Sequence, residues 1–173
     1  MTKNLSVILS LLTFLPAVSM GERVTIKINA SVIERSCTIS NSSVNSTVDL
    51  QPGNLRASKL GAPFSGTRFS VNLENCPDNI SSAYIQFKGE SDPEMSNLLK
   101  NTSTTDTSAR GIAVGLFDED NNNIDVRNNK INLKIDHGTP VNEFSFFAYY
   151  VRVNNNSSAG KVLSVANFEL SYD

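Results

Sequence analysis

The chain has 173 residues, 39% of them hydrophobic and 18% charged, with 9 glycines, 6 prolines and no tryptophan. This composition suits one ordinary globular domain and argues against a disordered or collagen-like polymer. Fifteen lysines and arginines stand against 17 acidic residues, a formal net charge of -2 with no basic block along the chain, so nucleic acid is not expected as a partner.

In chain order, the first element is an address. Lys3, an apolar run from Leu5 to Leu15, Pro16 and then small residues give residues 1–21 the three-part form of a secretory signal peptide, with cleavage after Ser19 or after Gly21. The run falls well short of the ~20 apolar residues that a membrane-spanning helix needs. Export sets the expectation for the two cysteines, Cys37 and Cys76, which stand 39 residues apart. In an oxidising compartment they are expected to pair, and closing that loop restricts the unfolded chain by about 4 kcal/mol. No CxxC spacing exists and the sole histidine, His137, is distant in sequence, so no metal site is expected.

The next element spans residues 22–34. Val24, Ile26, Ile28, Ala30 and Val32 alternate with Arg23, Thr25, Lys27, Asn29 and Ser31, a period of two that places every apolar group on one face of an extended strand. That face is an aggregation hazard in water and must be covered. Burying five such side chains yields on the order of 8–12 kcal/mol gross. The spacing is compatible with a first strand packed on its own core, and equally with a strand supplied to the open sheet edge of another subunit.

Further strands are predicted at Cys37–Ile39, Ser46–Leu50, Thr67–Leu73, Ala83–Lys88, Ile112–Phe117, Lys130–Ile135, Phe144–Val153 and Lys161–Tyr172. Turn chemistry separates them, including Gln51-Pro52-Gly53-Asn54, Gly61-Ala62-Pro63, Asp118–Asn123 and His137–Pro140. Short strands at this spacing predict a sandwich or barrel. The one helical candidate is a turn or two over Pro93–Lys100. The Asn/Ser/Thr-rich stretches Asn41–Thr47, Lys100–Ser108 and Asn154–Ser158 read as solvated loops. In the last strand, Val162, Ser164, Ala166, Phe168, Leu170 and Tyr172 share one face.

Catalytic chemistry has little to work with. His137 lies in a turn, and no GxSxG, HExxH, P-loop or GxGxxG pattern occurs. The run from Asp118 begins like a calcium loop, but Asn123 stands where glycine is needed and Asn129 where the bidentate glutamate belongs, so it reads as a hairpin loop. The Asn-x-Ser/Thr triplets beginning at Asn29, Asn45, Asn79 and Asn101 are ones that a chain this rich in Asn and Ser produces by chance. No catalytic residue, cofactor or metal is expected.

The segments Val24–Ile39, Val48–Leu55, Phe69–Pro77, Gly111–Ile124 and Phe144–Tyr172 together resemble a fimbrial subunit of the chaperone-usher, type 1 class, most like a minor or adaptor subunit. The likeness covers essentially the whole exported chain. That family carries a glycine shortly before the C-terminus and a penultimate tyrosine, and Gly160 and Tyr172 occupy those positions. The resemblance implies an all-β fold, an incomplete immunoglobulin-like Greek-key sandwich lacking its final strand, spanning residues 35–173 with a donor-strand extension at 22–34 and a staple matching Cys37 and Cys76. It implies that Val24, Ile26, Ile28, Ala30 and Val32 are donor side chains. Gly160, Val162, Ala166, Phe168, Leu170 and Tyr172 then mark the acceptor groove and chaperone-binding strand. Ala30 falls where the family commonly has glycine, which adds a methyl group at a narrow pocket. The implied partners are neighbouring fimbrial subunits, a periplasmic chaperone and an outer-membrane usher, and the implied route leads through the periplasm to the cell-surface fimbrium. A tip adhesin or receptor-binding pilin holding a glycan on its loops, and a secreted hydrolase, are the alternative readings. The resemblance implies that two-domain adhesins carry a lectin domain ahead of the pilin domain, so the single-domain length together with the N-terminal donor strand argues against that reading. The lack of convergent catalytic groups argues against a hydrolase.

Overall fold

A computed structural model describes residues 36–172. The signal segment, residues 1–21, and the alternating ribbon carrying Val24, Ile26, Ile28, Ala30 and Val32 lie outside the described residues. Within them run eight strands: β1 (Thr38–Ile39), β2 (Pro63–Glu74), β3 (Ser82–Gly89), β4 (Ile112–Phe117), β5 (Asn123–Ile124), β6 (Ile131–Lys134), β7 (Val141–Arg152) and β8 (Ala166–Tyr172). They form two antiparallel sheets, one in the order β1-β2-β7-β4-β5 and the other β6-β3-β8. The chain crosses repeatedly between sheets, and the result is an immunoglobulin-like Greek-key sandwich.

Alternation in the sequence builds the core. On β3, Ala83, Ile85 and Phe87 are buried while the residues between them face outward. The long β2–β7 ladder sets Phe69, Val71 and Leu73 beside Phe144 and Phe146. Phe87 meets the ring of Phe146 edge-on at 4.9 Å, an arrangement the ring quadrupoles favour. Strand β4 is buried along its whole length because both of its faces are covered. Val114 and Leu116 join the main core, and Ala113 joins a smaller cluster with Leu98, Val151 and Val153 on the outer side.

That outer cover is the segment predicted to be helical, and it forms a turn rather than a helix. The Asp92 carboxylate accepts the backbone N–H groups of Glu94 and Met95 at 2.9 and 3.0 Å, an Asx-type arrangement that competes with helix formation. Leu99 is then drawn into a bridge with Val114, each residue donating its N–H to the carbonyl of the other. The predicted strand at Ser46–Leu50 joins no ladder, and the predicted strand from Lys161 is regular only from Ala166. The first pairs with no strand among the described residues, and Lys161–Val165 makes a single bridge to Ser108 and scattered bonds to the 101–109 segment in place of a regular ladder. Strand β5 and the single 3-10 turn at Leu55–Ala57, capped by the Asn54 side chain, were not anticipated.

Cys37 and Cys76 are joined in a disulfide. They flank the β1–β2 pairing of Thr38 with Glu74, so the bridge clamps the short first strand to the edge of the larger sheet. Replacing both cysteines by serine is expected to lower unfolding free energy by about 2–4 kcal/mol; urea denaturation of the oxidised chain and the double variant measures the difference, and coincident curves would show that the bridge contributes nothing.

Candidate functional site: an open groove beside the last strand

The smaller sheet ends on β8, which has β3 on one side and no strand on the other among the described residues. The same asymmetry appears in burial. Ile85 and Phe87 of β3 are 0% and 2% exposed, whereas their ladder partners Leu170 and Phe168 are half-buried. Beside β8 lies a groove of about 730 Å³. Its floor is the main core seen from the side: Phe69 from β2, Phe87 from β3, Val114 and Leu116 from β4, and Ala148 from β7. One wall is the irregular stretch Ser43–Leu50, and the other is Val162–Phe168. Leu163 and Val165, on that second wall, keep 57% and 59% of their surface exposed. An apolar patch of this kind marks a place where another chain binds.

The groove is closed at the disulfide end. There the Tyr172 hydroxyl donates to the Cys37 carbonyl at 3.4 Å, and Leu170 and Tyr172 pack against the core. Of the six C-terminal residues singled out in the sequence, Val162, Ala166 and Phe168 line the groove, with Ser164 between them. Leu170 and Tyr172 continue the same face into the closed end. Gly160 lies outside the groove, where the chain crosses the Thr107–Ala109 backbone. A Cβ on Gly160 would sit 2.5 Å from Ala109 N and 2.6 Å from the Ser108 carbonyl carbon, so this glycine answers to a close approach of two backbones.

The floor residues from β2, β3 and β4 were legible only as core positions. Sequence periodicity says that Phe69 or Val114 points inward, but not that the core is left uncovered beside it. The Ser43–Leu50 wall, with its serines and asparagine, reads as a solvated loop and carries no signal of its role. The remaining candidates do not converge. His137 Nε2 lies 3.0 Å from the Ile80 carbonyl in a polar notch with Asp78 and Asp136. The Asp118 carboxylate accepts the Asp120 and Asn122 N–H groups and so organises the β4–β5 hairpin. Among the described residues, no group of three or more His, Cys, Asp or Glu side chains is placed to hold a metal ion. The groove's chemistry is therefore that of apolar burial beside an unpaired strand edge.

Burial raises the Tyr172 phenol above its ordinary value of 10.0, and does the same for Tyr150 on the large sheet. The folded chain then holds these protons more tightly than the unfolded one. Their contribution to stability is complete below the ordinary tyrosine range and is lost as pH rises through it. Urea midpoints at about pH 8 and about pH 11 are expected to show this fall, and Tyr172→Phe to make it shallower; an equal fall in the variant would remove Tyr172 from the account. Gly160→Ala is expected to cost about 1–3 kcal/mol through overpacking against backbone, read as a lowered thermal midpoint, whereas an unchanged midpoint would show that the crossing can open without penalty.

Comparison with known proteins places these features in a lineage. The family described as fimbrial protein matches residues 26–173. The probable major fimbrial subunit LpfA of Escherichia coli O157:H7 is 26% identical over 153 residues, covering 86% of this chain and 83% of that one. Protein FimG of Escherichia coli K12 is 27% identical over 169 residues, covering 96% and 95%. Among solved structures, a chaperone-usher pilus subunit shares the fold with a TM-score of 0.64 at 18% identity, covering 91% of this chain and 99% of that one. The chain belongs to the fimbrial protein family.

Proposed function

We propose that the chain is a structural subunit of a chaperone-usher fimbria and that it polymerises by strand exchange. One observation carries this reading: among the described residues, the last strand of the sandwich presents an unpaired edge beside an open apolar groove, in a chain whose own leading ribbon is apolar on alternate residues. The run Val162–Phe168 lines the groove, with Val162 and Phe168 packed against the core. A strand laid along that edge offers side chains at a period of two, and Val24, Ile26, Ile28, Ala30 and Val32 supply five. Backbone hydrogen bonds to the β8 edge give such an addition its affinity, and the pockets between floor residues give it register. In this reading residues 22–34 of one copy occupy the groove of the next, and residues 35–173 form the body of each subunit.

The exposed groove also accounts for the need of a partner before assembly. A lone subunit leaves Leu163 and Val165 exposed along an open groove, and any chain that covers them stabilises the folded state by mass action. A periplasmic chaperone fits this requirement, contacting β8 and the C-terminal residues, and an outer-membrane usher would receive the complex on its way to the cell-surface fimbrium. The related structure described as a chaperone-usher pilus supports that assignment through its fold. A receptor-binding role on the loops has no comparable feature to support it, because the Lys100–Ser108 and Asn154–Ser158 stretches are tied down by hydrogen bonds to neighbouring backbone.

Deleting residues 22–33 is expected to preserve binding of the periplasmic chaperone and to end incorporation into fibres. Co-purification with the chaperone and electron microscopy of the cell surface measure the two effects. Normal fibres built from the deleted form would show that the ribbon is not the donor.

A further inference from the structure

The ladder between β3 and β8 ends at the pairing of Gly89 with Ala166, yet the groove wall runs on to Val162. One side chain, together with the backbone of the 100–109 segment, stands in for a partner strand there. The Asn101 carboxamide oxygen accepts the N–H of Leu163 at 2.9 Å and that of Ser103 at 3.1 Å. Its nitrogen donates to the carbonyls of Ala109 and Lys161 at 3.0 and 3.2 Å. The backbone around it completes the join, with Ala109 N–H donating to the Lys161 carbonyl and Thr102 N–H to the Leu163 carbonyl. Lys161 and Leu163 thus direct their N–H and C=O groups toward the 100–109 segment. Alternation along an extended chain sends those of Val162 and Ser164 to the opposite side, where the groove lies.

We propose that Asn101 is a positioning residue for strand uptake: it holds Lys161–Ser164 extended, so that the edge an incoming strand must pair with is formed before that strand arrives. The inference rests on the strand-exchange reading above and adds to it a residue that does not itself line the groove. Asparagine suits the task because its carboxamide presents an acceptor and two donors at the spacing of a peptide group. Without it, the Leu163 N–H loses its partner while the bonds from Thr102 and Ala109 remain, so the lip is held less firmly and ordering it becomes a cost charged to binding.

The test uses the full oxidised chain, Asn101→Ala and Asn101→Asp, and a synthetic peptide of residues 22–34. Asn101→Asp keeps the acceptor for Leu163 but places a carboxylate against the Ala109 and Lys161 carbonyls, and it serves should the alanine variant fail to fold. Hydrogen exchange in the free chain is expected to accelerate by about tenfold or more at the Leu163 and Thr102 amides of the alanine variant, with β2 and β7 unchanged. The rate of peptide uptake per folded molecule is expected to fall by roughly the same factor, with the aspartate variant intermediate. Uptake at the wild-type rate, or lip protection unchanged in both variants, overturns the positioning role. A wild-type chain that shows the Asn101-dependent protection but does not take up the peptide sinks the strand-exchange reading instead.

Discussion

A two-layer sandwich is stable when each inner face covers the other, and among the described residues this one is a strand short of doing so. The larger sheet has five strands and the smaller three, and a groove floored by core residues of β2, β4 and β7 opens beside β8. Every distinctive feature of the molecule follows from that mismatch. Phe168 and Leu170 are half-buried opposite fully buried partners on β3. Apolar side chains stand exposed along the lip, and the seam closes only at the end where Tyr172 reaches Cys37. The gain from burying the floor is available to whichever chain completes the layer, which makes assembly and folding parts of one process.

Holding such an edge open requires that the backbone around it be satisfied without a neighbouring strand, and asparagine does this repeatedly. Asn129 accepts the Phe87 N–H at 2.8 Å and donates to the Phe87 carbonyl at 2.7 Å, acting as a ladder partner for β3 where β6 has ended. Asn142 does the same for Asp136, accepting its N–H at 2.7 Å and donating to its carbonyl at 3.2 Å. Asn101 extends the pattern to the groove lip. In each case one carboxamide pairs with both polar groups of a backbone segment, and a buried or half-buried ladder end avoids the cost of unmatched donors and acceptors.

The same asparagines mark the boundary of what could be read from the sequence. Alternation identified β3, because a period of two over Ala83–Lys88 leaves one physical solution, and the wholly apolar run Ile112–Phe117 bounded by turn residues located β4. The cysteine pair was legible from compartment and number alone. Asn101 and Asn129 were not: one read as part of a solvated loop, the other as a failed calcium ligand, since composition reports polarity and says nothing of which backbone groups a carboxamide will meet 8 or 42 residues away. Pro93–Lys100 read as helical because its side chains permit it, and the Asp92 carboxylate together with the Leu99–Val114 bridge decided otherwise. The groove was legible as a face of β8, through Val162, Ala166 and Phe168, while its opposite wall at Ser43–Leu50 was hidden in an ordinary polar stretch.

The central claim is that the ribbon ahead of Cys37 completes the sandwich of a different copy. Fibres assembled from a mixture of isotopically heavy and light subunits, with a photo-cross-linking amino acid at Ile28, test it most directly. The account predicts heavy–light cross-links from position 28 to groove residues such as Phe69, Phe87 or Phe168. Cross-links confined to heavy–heavy and light–light products, even in well-mixed fibres, would mean that each ribbon folds back into its own subunit, and the account would be contradicted.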